Sequence, residues 1–147
     1  MTPTRIGTLA GVAMVLAVLG YGLTELAYFT LPPLPVFAPI SLAALAAAEL
    51  GAARVVRSFV RGTYRGSRVD VLQVARAVLL AKASSLGGAA LLGLYGGIFG
   101  WTFARRDSLA TAGPDSLVAG LTVLAALLLT VAALVLERAC RTPRVDP

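Results

Sequence analysis

Four apolar stretches, at residues 6–30, 36–57, 71–104 and 116–138, take up most of a 147-residue chain. Each reaches the roughly 20 residues that cross ~30 Å of hydrocarbon at ~1.5 Å per residue. A backbone in lipid must close its own hydrogen bonds, so each stretch has to be helical. The composition agrees, with 58% of residues hydrophobic, 14% charged and a mean hydropathy of +0.85. A soluble domain of this size has too little interior to hide that much apolar surface. The expected fold is all-α: an integral-membrane four-helix bundle, with 1–147 as a single transmembrane domain. The first stretch is too long for the apolar region of a signal peptide, and no A-x-A site follows it, so it reads as a retained helix.

The charges lie mainly between these stretches, and they set the expected orientation. Arg5, the loop arginines Arg54, Arg57, Arg61, Arg65 and Arg68, then Arg76 and Lys82, and the tail arginines Arg138, Arg141 and Arg144 all fall on one side. Only Arg105 and Arg106 fall on the other. The positive-inside rule therefore places both termini in the cytoplasm. Tyr21, Tyr28, Tyr95 and Trp101 then lie in the outer halves of helices one and three, with Tyr28 and Trp101 near the outer interface. The five loop arginines are expected to meet anionic lipid headgroups at the cytoplasmic face. No nucleic-acid recognition motif accompanies the net charge of +6, so a nucleic-acid partner is not expected.

The link "LPPLPVFAP", residues 31–39, holds four prolines and no charge. Proline fixes φ and removes a donor, so the link reads as a tight, stiff outer turn that joins helices one and two as an antiparallel hairpin. Helix three, at 34 residues, would be ~51 Å long, too long for one perpendicular crossing. Its first turns are expected to project into the inner interface, or the helix tilts or breaks near Gly87 and Gly88.

Polar groups inside the apolar stretches demand partners. Glu49 lies ~10 Å from the inner end of helix two, and Lys82 lies at similar depth on helix three. A lone charge at that depth costs ~3 kcal/mol, so a Glu49–Lys82 pair is expected, with inward snorkelling of the lysine as the alternative. Arg76 and Glu137 lie lower, as inner-interface charges. Glu25, near the outer end of helix one, reads as a solvated carboxylate with Arg105 and Arg106 as candidate neighbours. Helix three also repeats small residues every four positions, among them Ala81, Ser85, Ala89, Gly93 and Gly97. Such rows let helices approach closely in lipid, either within the bundle or against a second protein. Ala43, Ala47 and Gly51 on helix two, and Gly7 and Gly11 on helix one, follow the same rhythm.

The chain has no histidine and one cysteine, Cys140. That excludes an intramolecular disulfide and a CxxC knuckle, and it argues against zinc or haem. No nucleotide loop and no nucleophile with a base appears, so no catalytic residue, metal ligand or cofactor is assigned and enzyme chemistry is not expected.

The segments "TLPPLPVFAPISL", "RAVLLAKASSLGGAALLGLYGG" and "LERACRTPR" resemble a family of small actinobacterial membrane proteins. That family is described as a domain of unknown function and is often encoded beside folate-biosynthesis genes. The resemblance covers nearly the whole chain. It implies four transmembrane helices and a bacterial plasma (inner) membrane, and no activity, ligand or catalytic residue. The function expected is that of a non-catalytic accessory or scaffold protein, which packs against a membrane-protein partner or a second copy through small-residue helix faces. The alternative is a small oligomeric transporter or channel component, with Glu49, Lys82, Ser84 and Ser85 lining a polar path.

Overall fold

Proline sets two of the helix starts. In the computed structural model, which describes residues 5–28, 30, 34–60 and 71–140, the helices are α1 (Ile6–Ala27), α2 (Phe37–Val60), α3 (Val71–Ala104) and α4 (Ala112–Ala139). In α2 the third residue is Pro39, and in α4 it is Pro114. A proline there costs nothing, because the first four N–H groups of a helix have no intrahelical partner. That is why α4 begins at Ala112, four residues ahead of the start expected from hydropathy. Asp115 lies in its first turn and Arg138 in its last, each at the dipole end that favours its charge. α3 runs unbroken through Gly87 and Gly88. All four helices contain a segment long and apolar enough to span a membrane; in α3 that segment is Arg76–Ala104.

The helices pack in the order α1–α3–α4–α2. α1 lies on α3, α3 on α4, and α4 on α2, while α2 only brushes α3. Among the described residues α1 and α2 do not pack together. The hairpin expected from their short link is therefore not formed, and the two helices lie at opposite ends of the row. The reason is reach. The nine positions between Ala27 and Phe37 span up to ~30 Å when extended, so a short link does not compel its helices to touch. Of the expected turn, Leu31, Pro32 and Pro33 lie outside the described residues; beyond them, Pro35 accepts a hydrogen bond from the Ala38 N–H at 3.1 Å.

α1 is held to α3 by missing side chains. A Cβ added at Gly93 would strike the Ala13 carbonyl, and one at Gly97 would strike the Ala17 carbonyl and the Tyr21 nitrogen. From the other side, a Cβ at Gly20 would strike the Leu94 carbonyl. The register rises together on both helices, so they run parallel. The α3–α4 contact is antiparallel, with Gly88 against Thr130 and Ala126 and with Phe99 against Gly120. α2 meets α4 through Ala46 with Leu129 and Ala132, and through Ala53 and Val56 with Leu136 and Ala81 of α3. Ala81, Ser85, Ala89, Gly93 and Gly97 are all buried within this chain's own fold.

Gly93→Ala and Gly97→Ala should each destabilise the folded protein by about 1–3 kcal/mol, since the added methyl meets backbone that cannot yield. Gly96→Ala, where nothing lies within 4 Å, should be neutral or stabilise by up to ~1 kcal/mol through helix propensity. Detergent-titration unfolding of the three variants checks the contrast.

Candidate functional site

Most polar side chains within these helices satisfy themselves. The hydroxyls of Thr24, Thr102, Thr122 and Thr130 donate to the carbonyls four residues back, at 2.7, 2.9, 2.7 and 2.8 Å. Ser85 donates to the Lys82 carbonyl at 2.9 Å. A hydroxyl has this route because it carries a proton and helix carbonyls keep a spare lone pair. A carboxylate does not, because it only accepts and the N–H groups of a helix interior are already used.

Glu49 is in that position. It is 1% exposed and neither carboxyl oxygen has a hydrogen-bond partner. It sits on α2 one turn from Ala46 and one from Ala53, the residues that seat α2 on α4. The Ser84 hydroxyl of α3 lies beside its carboxyl without closing a well-formed hydrogen bond. The structure gives Glu49 no hydrogen bond from Lys82. Lys82 is half-buried on α3, Glu137 is buried on α4, and both make polar or electrostatic interactions. Arg76 is exposed, as are Arg54 and Arg57 in the last part of α2. Arg61, Arg65 and Arg68 lie outside the described residues.

A second polar cluster lies where α1 and α3 end and α4 begins. Glu25 of α1 accepts a hydrogen bond from the Trp101 indole N–H and an ion pair from Arg105 at 2.8 Å. The Arg105 guanidinium stacks 4.4 Å from the centre of the Trp101 ring. Trp101 also meets Tyr28, with ring centroids 4.5 Å apart. The Tyr28 hydroxyl donates to Asp115 at 2.7 Å and lies 3.1 Å from the Thr111 hydroxyl. One cluster thus ties the ends of α1 and α3 to the start of α4. The expectation of a solvated Glu25 is corrected in part: its side chain stays half-exposed yet is held by two named partners. Sequence spacing places Tyr28 and Trp101 at the outer interface, but nothing in it pairs Tyr28 with Asp115, 87 residues away. Arg106 takes no part in this cluster and stacks on Phe103.

The chemistry of the cluster is that of a clasp. Burial of Tyr28 raises its pKa above the ordinary 10.0; the Thr111 hydroxyl opposes this, and the Asp115 carboxylate adds to it by hydrogen bond and by charge. A raised folded-state value means the fold favours the neutral phenol. That contribution is whole below the ordinary phenol pKa and is lost as pH rises from there through the raised folded-state value. Tyr28→Phe should therefore lose the alkaline part of the stability–pH curve, seen by unfolding at neutral and at high pH. Trp101→Phe keeps a ring and drops the donor to a charged group, at a cost of about 1.5–3 kcal/mol by the same unfolding measurement. At the C-terminal end of α4, burial also pushes the Cys140 thiol up, so thiol-alkylation at neutral pH should be slower than for an exposed cysteine.

A family model described as protein of unknown function (DUF3180) matches residues 9–144. No curated protein and no solved structure matches the chain.

Proposed function

This chain belongs to the DUF3180 family of proteins of unknown function, and from that premise and its packing we propose that it is a non-catalytic accessory or scaffold protein of a membrane. The membrane is the plasma membrane of a bacterium, an actinobacterium by the resemblance noted in the sequence, and both termini are cytoplasmic. The observation that carries the reading is the open end of the helix row. α2 uses Ala46, Glu49, Ala53 and Val56 inward, and it leaves Ala43, Ala47 and Gly51 exposed on its other face. Nothing lies within 4 Å of where a Gly51 Cβ would stand. In lipid, apolar helices gain little by merely leaving the bilayer, and close approach over small residues supplies the attraction instead. Ala81, Ser85, Ala89, Gly93 and Gly97 of α3 are buried inside this fold, whereas Ala43, Ala47 and Gly51 of α2 are free for a helix of another membrane protein. Exposed Arg54 and Arg57 at the inner end of the same helix anchor it at anionic headgroups.

A second reading, a small oligomeric transporter or channel component with a polar path near Glu49 and Lys82, is favoured by one observation, the buried and unsatisfied Glu49 carboxyl. The mass and composition of the complex, extracted gently from its own membrane, separates the two. The accessory reading expects a second protein in fixed ratio, lost on Ala47→Leu or Gly51→Leu while the fold persists. A homo-oligomer alone, together with solute uptake that fails when Glu49 and Lys82 are both neutralised, would replace it with the transport reading.

A further inference from the structure

Glu49 is a buried acid with no place in the docking reading above. At about 100° per residue it lies roughly 200° around α2 from both Ala47 and Gly51, so it faces away from the open side. Its depth is ~10 Å above Val56, where the inner cluster of Ala53, Val56, Ala81 and Leu136 ends. A carboxylate without a counter-charge in such surroundings carries a desolvation penalty of several kcal/mol. Something positive must meet it.

The candidates can be sorted by donor count. A divalent cation needs about six oxygen ligands, and Glu49 with the Ser84 hydroxyl offers three oxygens. No group of three or more His, Cys, Asp and Glu side chains among the described residues could hold a metal. Among the described residues, α3 carries Arg76 and Lys82 and α4 carries Asp115, Glu137 and Arg138. Lys82 and Glu137 are the ones closest to Glu49 in register, Arg76 and Arg138 being exposed and Asp115 at the far end of α4. Lys82 and Glu137 each adjoin a residue of the inner cluster, Ala81 and Leu136, about one turn further in than Glu49. They are of opposite sign, both are engaged in interactions, and Cys140 lies at the margin of the same cluster. A proton needs only one oxygen to bind and one acceptor to face, and the Ser84 hydroxyl oxygen is such an acceptor.

We propose that Glu49 is a proton-binding site whose occupancy sets whether α2 stays docked on α4. In the step, a proton from the cytoplasmic water forms an O–H bond at one carboxyl oxygen, and the site goes from one negative charge to none. No electron moves and no other group is consumed. The neutral acid is compatible with the packed α2–α4 seam. The ionised acid is not, and α2 is the helix free to move with it, because it lies at the end of the row, seated on α4 with only a brief touch on α3. Proton release and undocking of α2 are therefore one event. This does not rest on the docking of a partner, which uses the opposite face of the helix.

The test uses the intact protein in liposomes and a hydrophobic carbodiimide, dicyclohexylcarbodiimide. A protonated carboxyl adds its O–H across one C=N bond of the reagent, and the resulting O-acylisourea rearranges to a stable N-acylurea, so the label reports the protonated acid. Peptide mapping should find the label on Glu49, with the rate falling about tenfold per pH unit above the midpoint of titration. Spin labels on the outer faces of α2 and α4 should report a separation that grows over the same pH range, and Glu49→Gln should keep the helices docked throughout. No label on Glu49 in the folded protein, or labelling that ignores pH, would overturn the proposal. So would protection by sodium ions at constant pH, which would make the site one for a metal cation, or an α2–α4 separation that responds to pH equally in Glu49→Gln. Because wild-type protein carries the labelling result, a misfolded variant does not rescue the idea. Loss of a co-purifying partner leaves the labelling pattern unchanged, so the two readings fail separately.

Discussion

Lipid gives apolar side chains no reason to prefer each other, and a chain whose four helices are long and apolar enough to cross a membrane has to answer that constraint. The answer is close approach. Gly93 and Gly97 bring the backbone of α3 against that of α1, and Gly20 returns the contact from the other side. Gly88 does the same toward Thr130 of α4. Ala46, Ala53 and Ala132 play the corresponding part where α2 meets α4. Dispersion between closely packed atoms falls away within an ångström of separation, so these positions matter through what they lack. The large apolar residues Met14, Val18, Leu26, Leu124 and Leu128 are exposed, as a lipid-facing surface requires.

Polar groups follow the opposite logic and are placed where a partner or an interface is at hand. Threonine and serine hydroxyls turn back onto their own helices. Glu25 and Asp115 sit near helix ends, where Trp101, Arg105 and Tyr28 reach them. That clasp and the glycine contacts divide the work of holding α1, one at its C-terminal end and the other along the middle of the helix. Glu49 is the departure from this pattern, since it is buried between helices without a donor. Glu137 also buries one oxygen without a hydrogen bond, but at Glu49 both are unmet, and a break of the rule that complete at a buried position marks it for function.

Much of this was legible in the residues. Hydropathy found four helices, and the bounds of α3 agree to the residue. The start of α4 was missed because hydropathy does not record that Pro114 is tolerated in a first turn. The burial of Ala81, Ser85, Ala89, Gly93 and Gly97 is visible as a spacing of four, although the spacing does not say which helix fills the groove. The order of the helices was not legible. A short proline-rich link suggested that neighbours in sequence are neighbours in space, and here they are not.

What the sequence determined by itself is a helical chain with four segments able to cross a membrane, because backbone hydrogen bonding in lipid leaves no other local structure and because hydrophobic run length is a local quantity. What only the tertiary structure decided is who meets whom: α1 on α3, α2 at the far end of the row, Tyr28 on Asp115, and Glu49 beside Ser84 with no donor of its own. These depend on shape complementarity between residues far apart in the chain. Shape at a helix surface is set by several side chains at once, and no single stretch of sequence contains it.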